Sequence, residues 1–269
     1  MTGKSYYKFT ILGCGSSGGV PRLGNNWGNC DPNNKRNIRT RCSLLVQRFN
    51  RFGHSTTVLI DTSPDMRMQL IKASIGTLDG VIYTHSHADH VNGIDDLRMV
   101  AINRKKRVPV WADNKTRVRL EKSFDYVFKQ LSGSKYPPIL DLNPILGATE
   151  VEGPGGIITF QALPVNHGEI DALGFRIGNL AYIPDVLEIY QDTWPLLSNL
   201  SYLVIDALRY SPHPSHTHLE KTLSWIKTIR PKMAILTNMH TDLDYEKVDL
   251  ETPKNVSPAY DGLTLETKI

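Results

Sequence analysis

Six residues about a third of the way along the chain constrain its fold more than any other feature. Residues 85–90 read His-Ser-His-Ala-Asp-His, an H-x-H-x-D-H motif that follows the apolar run 81–83 after one residue, Thr84. Three imidazoles and a carboxylate are costly to bury unless another group pairs with them. A divalent metal ion can do so, because imidazole and carboxylate suit zinc, and also manganese or iron. The alternative is a histidine-rich loop in solvent.

The spacing of the motif predicts a strand that ends at a metal site. His85 and His87 alternate along an extended segment, so their rings point to the same side. Asp89 and His90 come after the chain turns, where they can face a second ion. We therefore predict metal ligands at these four positions.

Length and composition set broad limits on the class of protein. The chain has 269 residues, of which 40% are hydrophobic, enough for a sizeable core. Its formal charge of +4 does not by itself indicate a nucleic-acid partner. Three cysteines without a C-x-x-C pair favour a reducing compartment. Without an apolar signal segment or a run of ~18 apolar residues, we expect a cytoplasmic protein with no membrane partner.

Strand-like and helix-like segments alternate along the chain. The predicted strands are 7–12, 43–49, 56–60, 80–83, 108–111, 157–163, 172–177, 180–183, 202–205 and 233–236. The predicted helices are 64–73, 91–103, 115–131 and 219–230. The Pro- and Gly-rich stretch 132–156 is interpreted as an excursion on the surface. No linker divides the chain, so we predict one α/β domain over residues 1–269.

Further polar residues stand at the ends of predicted strands. His167, Asp185, Asp206 and His240 each follow an apolar segment. Strand ends gather on one edge of a sheet, which is where sites form. A single histidine after a strand is usually structural. Several such residues downstream of H-x-H-x-D-H favour metal ligands instead.

The glycine loop 13–18 matches G-x-G-x-x-G, the fingerprint of dinucleotide-binding proteins. That fingerprint must open a helix, and the following residues 20–26 are poor helix formers. We therefore expect no nicotinamide or flavin cofactor. A glycine turn that lets the backbone approach the metal edge fits better, with Ser16 and Ser17 at the substrate.

The order of these residues resembles the ligand series of the metallo-β-lactamase superfamily: H-x-H-x-D-H, a lone His, a lone Asp and a late His. One branch is especially similar, the phosphoribosyl cyclic phosphodiesterases, with the tRNA 3′-processing nucleases nearby. Four segments carry this likeness, namely LGCGSSGGVP (12–21), RCSLLV (41–46), LIDT (59–62) and LPVNH (163–167). The resemblance covers nearly the whole chain, from about Phe9 to Glu266.

The resemblance implies an αββα sandwich, with two mixed sheets flanked by helices and two divalent metal ions, zinc or manganese. By position, His85, His87 and His167 would hold the first ion, Asp89 and His90 the second, and Asp185 would bridge both. A water between ions ~3.5–4 Å apart would lose its proton and act as the nucleophile. Asp89 is thereby counted among the catalytic residues.

A second histidine cluster, residues 212–218, precedes the predicted helix 219–230. Its serine or threonine could cap that helix, and its histidines could be a surface loop. In the resembling phosphodiesterases one histidine before this helix faces the substrate, and by position this is His216. It would donate a hydrogen bond or a proton to the leaving oxygen. His218 is the second choice for this contact.

The chain departs from the resembling enzymes at the last metal ligand. They usually place a histidine directly after Leu-Thr, where this chain has Asn238, and a neutral amide oxygen is a poor ligand for zinc. His240 lies two residues on, at the same side of extended backbone, so we favour His240 as the ligand if the strand end shifts. The alternative leaves the second ion under-coordinated beside Asn238.

A second departure concerns a structural zinc site. Many members of the branch have three clustered cysteines and a late histidine there. This chain keeps only Cys30, and the late position is Thr241, so we expect no structural zinc.

Three functions stay open. The first is a phosphodiesterase acting on a small cyclic or nucleotide-like phosphodiester. The second is an RNA-processing nuclease, which is less favoured because no long RNA-gripping arm is evident. The third is a non-catalytic protein that binds a nucleotide or metabolite. The basic segment 98–122 could steer an anionic substrate or be a solvated helix face. The oligomeric state is open, and a homodimer is compatible with the sequence.

Overall fold

A computed structural model describes residues 3–130 and 132–269 of the chain. Contacts between residues divide the chain into two compact units. The first contains the described residues up to Leu12, together with Ser43–Thr159 and Thr264–Ile269. The second contains Gly13–Cys42 and Phe160–Leu263. The single domain over 1–269 stays a prediction.

Strands are distributed along the whole described chain. They are β1 (Tyr6–Gly13), β2 (Ser43–Phe49), β3 (Ser55–Ile60), β4 (Gly80–Ile82), β5 (Val108–Ala112), β6 (Leu140–Pro144), β7 (Ala148–Val151), β8 (Ile158–His167), β9 (Ile170–Ile177), β10 (Leu180–Ile183), β11 (Glu188–Ile189), β12 (Tyr202–Asp206), β13 (Met233–Thr237), β14 (Val256–Pro258) and β15 (Thr264–Lys268). The α-helices are α1 (Met66–Lys72), α2 (Ala88–Val91), α3 (Leu97–Arg104), α4 (Asn114–Ser123), α5 (Asp125–Phe128), α6 (Leu219–Ile229) and α7 (Tyr245–Glu251). None of the described helices is both long and apolar enough to cross a bilayer.

The first unit contains a mixed sheet in the order β15-β1-β2-β3-β4-β5-β6. Strands β2 and β3 form an antiparallel hairpin, and β3 to β6 run parallel to one another. The Asn50 side-chain oxygen closes the hairpin turn by accepting from the N–H groups of Phe52 and His54. Because β3 and β4 are parallel, the residues that follow them meet at one edge of the sheet.

The core of the first unit contains apolar residues of this sheet together with residues of α1 and α3. Leu97, Val100 and Ala101 recur at the spacing of one helix face, and all three are buried. They share one buried cluster with Val81 and Val110 of the sheet. This packing holds β4, the strand that leads into the H-x-H-x-D-H motif.

The predicted helix 91–103 is interrupted in the structure. Helix α2 ends at Val91, a short 3-10 helix spans Ile94–Asp96, and α3 begins at Leu97. Gly93 causes the break, because its N–H bonds to the carbonyl of Thr62 at 2.9 Å. A Cβ at Gly93 would lie 2.1 Å from the Ser63 carbonyl oxygen, so only glycine fits this approach.

Two other local predictions also needed correction. The predicted helix 115–131 is divided into α4 and α5, because Phe124 leaves helical geometry with ψ 38°; Leu131 lies outside the described residues. The stretch 132–156 is not only a surface excursion, since it contains β6 and β7. Strand β6 extends the sheet beside β5, and its short apolar pattern was hidden by flanking prolines and glycines.

The second unit contains a mixed sheet in which β11, β8, β9, β10, β12, β13 and β14 are successive neighbours. Pairing is antiparallel from β11 to β10 and parallel from β10 to β14. Strands β8, β10, β12 and β13 therefore point the same way. Their carboxyl ends lie at one edge, which gathers the residues that follow them.

Candidate metal centre

Strand β4 leads to the first group of candidate ligands. The chain continues in extended form from its end to His87, the N-cap of α2. The ring centroid of His85 lies 4.6 Å from that of His87 and 4.3 Å from that of His90. Asp89 Oδ2 lies 3.5 Å from His90 Nε2. The structure thus brings the four residues of the motif together, with His85 and His90 buried and His87 exposed.

Asp61, the residue after β3, orients two of these rings. Its buried carboxylate accepts hydrogen bonds from His90 Nδ1 at 2.7 Å and from the Thr84 hydroxyl at 2.8 Å. The Thr84 oxygen in turn accepts from His85 Nδ1 at 2.9 Å. Both imidazoles then carry their proton on Nδ1, which leaves the Nε2 lone pair for a metal ion. Burial raises the pKa of Asp61, and the hydrogen bonds from His90 and Thr84 oppose this rise.

The second group of candidate ligands lies at the sheet edge of the second unit. His167 ends β8, and its Nδ1 donates to the Ser215 carbonyl at 2.6 Å, so its Nε2 lone pair is available. Asp185 follows β10 and is 3% exposed. Its Oδ1 lies 3.9 Å from His167 Nε2 and 3.7 Å from His216 Nδ1. One donor atom from each of the three residues lies within 4.8 Å of the others.

Asp206, at the end of β12, orients His216. Its Oδ2 accepts from His216 Nδ1 at 2.8 Å and from the Val186 N–H at 3.1 Å. Burial raises the pKa of Asp206 to about 7, against the lowering effect of His216. This carboxylate–imidazole pair, placed beside Asp185, has the arrangement of a histidine held for proton transfer.

The structure places Asn238 beside Asp185 and keeps His240 apart. The Asn238 side-chain nitrogen lies 3.3 Å from Asp185 Oδ1 and 3.1 Å from His216 Nδ1. His240 pairs through Nδ1 with Asp242. Among the residues that the structure describes, His240 belongs to none of the groups whose ligand atoms could share an ion. His240 as a metal ligand stays a prediction.

The residues predicted to contact substrate lie in different settings. Ser16 is buried, and its N–H bonds to the Met239 carbonyl at 3.3 Å, whereas Ser17 is exposed. The glycine loop therefore lies next to the 238–240 segment, and it runs on into turns. His218 is the N-cap of α6 by its backbone, without a side-chain capping bond. Their role at a substrate stays a prediction.

Cys30 and Thr241, the two positions at which the sequence departs from a structural zinc site, lie together. The Cys30 thiol donates to the Thr241 carbonyl at 3.4 Å. The guanidinium of Arg39, which is 1% exposed, lies on the same sulfur at 3.9 Å. It also donates to the His240 carbonyl at 3.4 Å and to the Asn37 side-chain oxygen at 3.2 Å. A buried cation thus joins the 30–39 loop to the segment after β13.

The donor sets fit divalent metal ions. Each unit offers buried imidazole nitrogens and a carboxylate, the ligand types that zinc and manganese accept. The outer partners, Asp61, Thr84 and the Ser215 carbonyl, fix the histidine protons on Nδ1, as partners of metal-binding histidines do. Asp206 was predicted as a candidate ligand, and the structure instead makes it the hydrogen-bond partner of His216; Asp61 was not singled out as a site residue. Each does follow or end an apolar strand, the same signal that indicated Asp185.

Comparison with known proteins is consistent with these groups. A model of the beta-lactamase superfamily domain matches residues 56–239. A crystal structure of a diphosphatase from the PhnP family is 33% identical, with a TM-score of 0.85 and coverage of 98% of each chain. Human tRNase Z, short form, has a TM-score of 0.65 at 14% identity, covering 96% of this chain and 98% of its own. That last likeness is one of fold alone.

A curated protein of Porphyromonas gingivalis, an octanoyltransferase, is 33% identical over 260 residues. The match covers 94% of this chain but 50% of that protein. The chain therefore spans about half the length of the curated relative that it matches.

Proposed function

Because the chain belongs to the metallo-β-lactamase superfamily, a superfamily of hydrolases, we propose that it is a metal-dependent phosphodiesterase for small cyclic or nucleotide-like phosphodiesters. The observation that carries this proposal is the His216–Asp206 pair beside the His167 and Asp185 donors, a proton donor next to metal ligands. The 33% identity to a diphosphatase supports phosphoryl chemistry. The predicted αββα fold class, with two mixed sheets flanked by helices, is confirmed.

The histidines and carboxylates of the two groups are proposed to hold two divalent ions, zinc or manganese. They are His85, His87, Asp89 and His90 in the first unit, with His167 and Asp185 in the second. When bound, such ions supply Lewis acidity toward water and offset the negative charge of a phosphoryl group. Asp61, Thr84 and the Ser215 carbonyl keep the imidazoles in the tautomer that binds a metal.

His216 is proposed as the proton donor to the leaving oxygen. When the P–O bond to the leaving group breaks, that oxygen gains negative charge and needs a proton. The protonated imidazole supplies it and becomes neutral, while the Asp206 carboxylate holds the ring through Nδ1. The remaining ring nitrogen, Nε2, is then the one that faces the substrate.

Two other activities are alternatives. The likeness to the octanoyltransferase of Porphyromonas gingivalis raises acyl chemistry, although this chain matches only half of that protein. An RNA nuclease is less favoured, because Arg98 and Arg107 of the basic segment already pair with Asp95 and Asp141. These ion pairs leave less positive charge for a polyanion.

A substrate panel tests the proposal. The purified protein, with its zinc and manganese content measured, is assayed on an aryl phosphodiester, a nucleoside 2′,3′-cyclic phosphate, an aryl phosphomonoester, a β-lactam, an octanoyl thioester and a tRNA precursor. We expect the two diesters to be hydrolysed fastest. Faster turnover of the thioester, cleavage of the tRNA precursor alone, or full activity without metal would each contradict the proposal.

A further inference from the structure

Asn238 occupies a constrained position at the end of β13. It is 2% exposed and has a left-handed backbone, with φ of 59°. Asparagine tolerates this conformation better than most residues. The next two residues are fixed by backbone hydrogen bonds from Met239 N–H to the Cys14 carbonyl (2.9 Å) and from His240 N–H to the Leu208 carbonyl (2.8 Å). The backbone that follows Asn238 is thus fixed in position by these two bonds.

The side-chain nitrogen of Asn238 lies close to a carboxylate and an imidazole. Its distance to Asp185 Oδ1 is 3.3 Å, and its distance to His216 Nδ1 is 3.1 Å. The nitrogen must be the atom on this side, because the amide oxygen would repel an ionised carboxylate. An amide NH₂ donates two hydrogen bonds and has no lone pair to give a metal ion.

We infer that Asn238 is a positioning residue that holds Asp185 for metal binding through a hydrogen bond, and that neither Asn238 nor His240 is itself a ligand. The inference rests on the proposed metal-dependent function. Its consequence is specific to position 238, where an amide donor orients a ligand carboxylate, while His216 Nδ1, which donates to Asp206, lies beside the amide without accepting from it. A histidine at this position would instead present a nitrogen lone pair to the same space.

Calorimetric titration of metal-stripped protein with Zn²⁺ tests the inference without an activity assay. Asn238→Gly keeps the left-handed backbone and removes the amide. We expect it to weaken zinc binding by about 10–100-fold, the usual effect of losing a partner that orients a ligand. Asn199→Gly is the matched control, because Asn199 is exposed and has φ of 56°. It should bind zinc as the wild type does, and so should His240→Ala.

Asn238→His provides a second measurement if the glycine variant folds poorly. We expect tighter zinc binding, and a changed visible spectrum of the cobalt-substituted protein because one more nitrogen can coordinate. Loss of an ion in His240→Ala, or unchanged affinity in Asn238→Gly and Asn238→His, would overturn the inference while leaving the proposed function standing. A wild type that hydrolyses no phosphodiester and binds no divalent ion would instead remove the proposed function itself.

Discussion

At the scale of single residues, carboxylates that bind imidazoles define the chemistry of both groups. Asp61 orients His90 directly, and Asp206 orients His216. Both carboxylates are fully buried, so each is expensive to maintain unless its hydrogen bonds are satisfied. Each carboxylate fixes the orientation of the imidazole that it binds, whereas the ring of a histidine in solvent can rotate.

The proposed proton donor gives a prediction at this scale. His216→Ala should lower kcat by about 10²–10⁴-fold, the usual contribution of general acid catalysis, with metal content retained. Asp206→Asn should also lower kcat, because an amide no longer holds the ring as a carboxylate does. Steady-state kinetics with elemental analysis measures both. His54→Ala, at an exposed histidine, is the control. An equal loss in His218→Ala alone would transfer the role to that residue.

At the scale of elements, close backbone approaches decide where helices and loops stop. Gly93 breaks the predicted helix 91–103 by packing on Ser63. Gly168 does the same for the turn between β8 and β9, where a Cβ would lie 2.8 Å from Ser215 Cβ. This approach allows the Ser215 carbonyl to accept from His167 Nδ1. Gly168 therefore helps to position the candidate ligand His167.

Replacing Gly168 tests this support. Gly168→Ala combines a left-handed φ of 76° with the Ser215 clash, so we expect a loss of about 1–3 kcal/mol in the free energy of unfolding. Gly53→Ala has a similar φ of 84° with nothing within 4 Å, so it isolates the backbone cost. Urea denaturation compares the two variants. Equal losses in the two variants would mean that the close contact with Ser215 does not contribute to the free energy of unfolding.

At the scale of the whole molecule, metal ions and buried carboxylates link stability to solution conditions. The candidate ligands place buried imidazoles and carboxylates at strand ends in both units. Asp261 adds a half-buried carboxylate, which accepts from the Cys14 N–H, the Thr40 N–H and the Thr40 hydroxyl. Both features make the free energy of unfolding depend on what the solvent contains.

Metal removal is expected to destabilise the protein. An ion that binds only the native state adds about 2.7 kcal/mol at a concentration 100 times its Kd. Thermal unfolding with a chelator, and with zinc or manganese restored, should show a lower Tm that rises again with added metal. The same Tm under both conditions would contradict native-state metal binding.

Asp261 predicts a pH dependence of stability. Burial raises the pKa of Asp261 to about 6, well above the ordinary value of an aspartate carboxyl. The native state therefore holds this proton more tightly than the unfolded chain. The contribution of the protonated group is complete below about pH 4 and is lost as the pH rises through about 6. Urea denaturation of wild type against Asp261→Asn should show this extra decline only in the wild type. Parallel pH profiles would refute it.

The sequence alone was enough for the local features of this protein. The H-x-H-x-D-H motif after an apolar strand indicated a strand end with metal-binding residues, and its pattern with later residues indicated the superfamily, which the comparisons confirm. Strand and helix periods located most elements, because side-chain alternation is a property of neighbouring residues. The helix breaks at Gly93 and Phe124 were not predicted from this periodicity. The break at Gly93 depends on a distant contact with Ser63, and the break at Phe124 depends on local backbone geometry.

The tertiary structure decided which polar residues act together. Asp61 reaches His90 across 29 positions of the chain, and Asn238 reaches Asp185 across 53. No local pattern encodes such pairs, because they arise only when parallel strands bring their carboxyl ends to one edge. The same edge places Asn238 beside Asp185, and backbone hydrogen bonds join residues 239 and 240 to Cys14 and Leu208. Residue types were readable from the sequence, whereas their partners depended on sheet register and backbone hydrogen bonds.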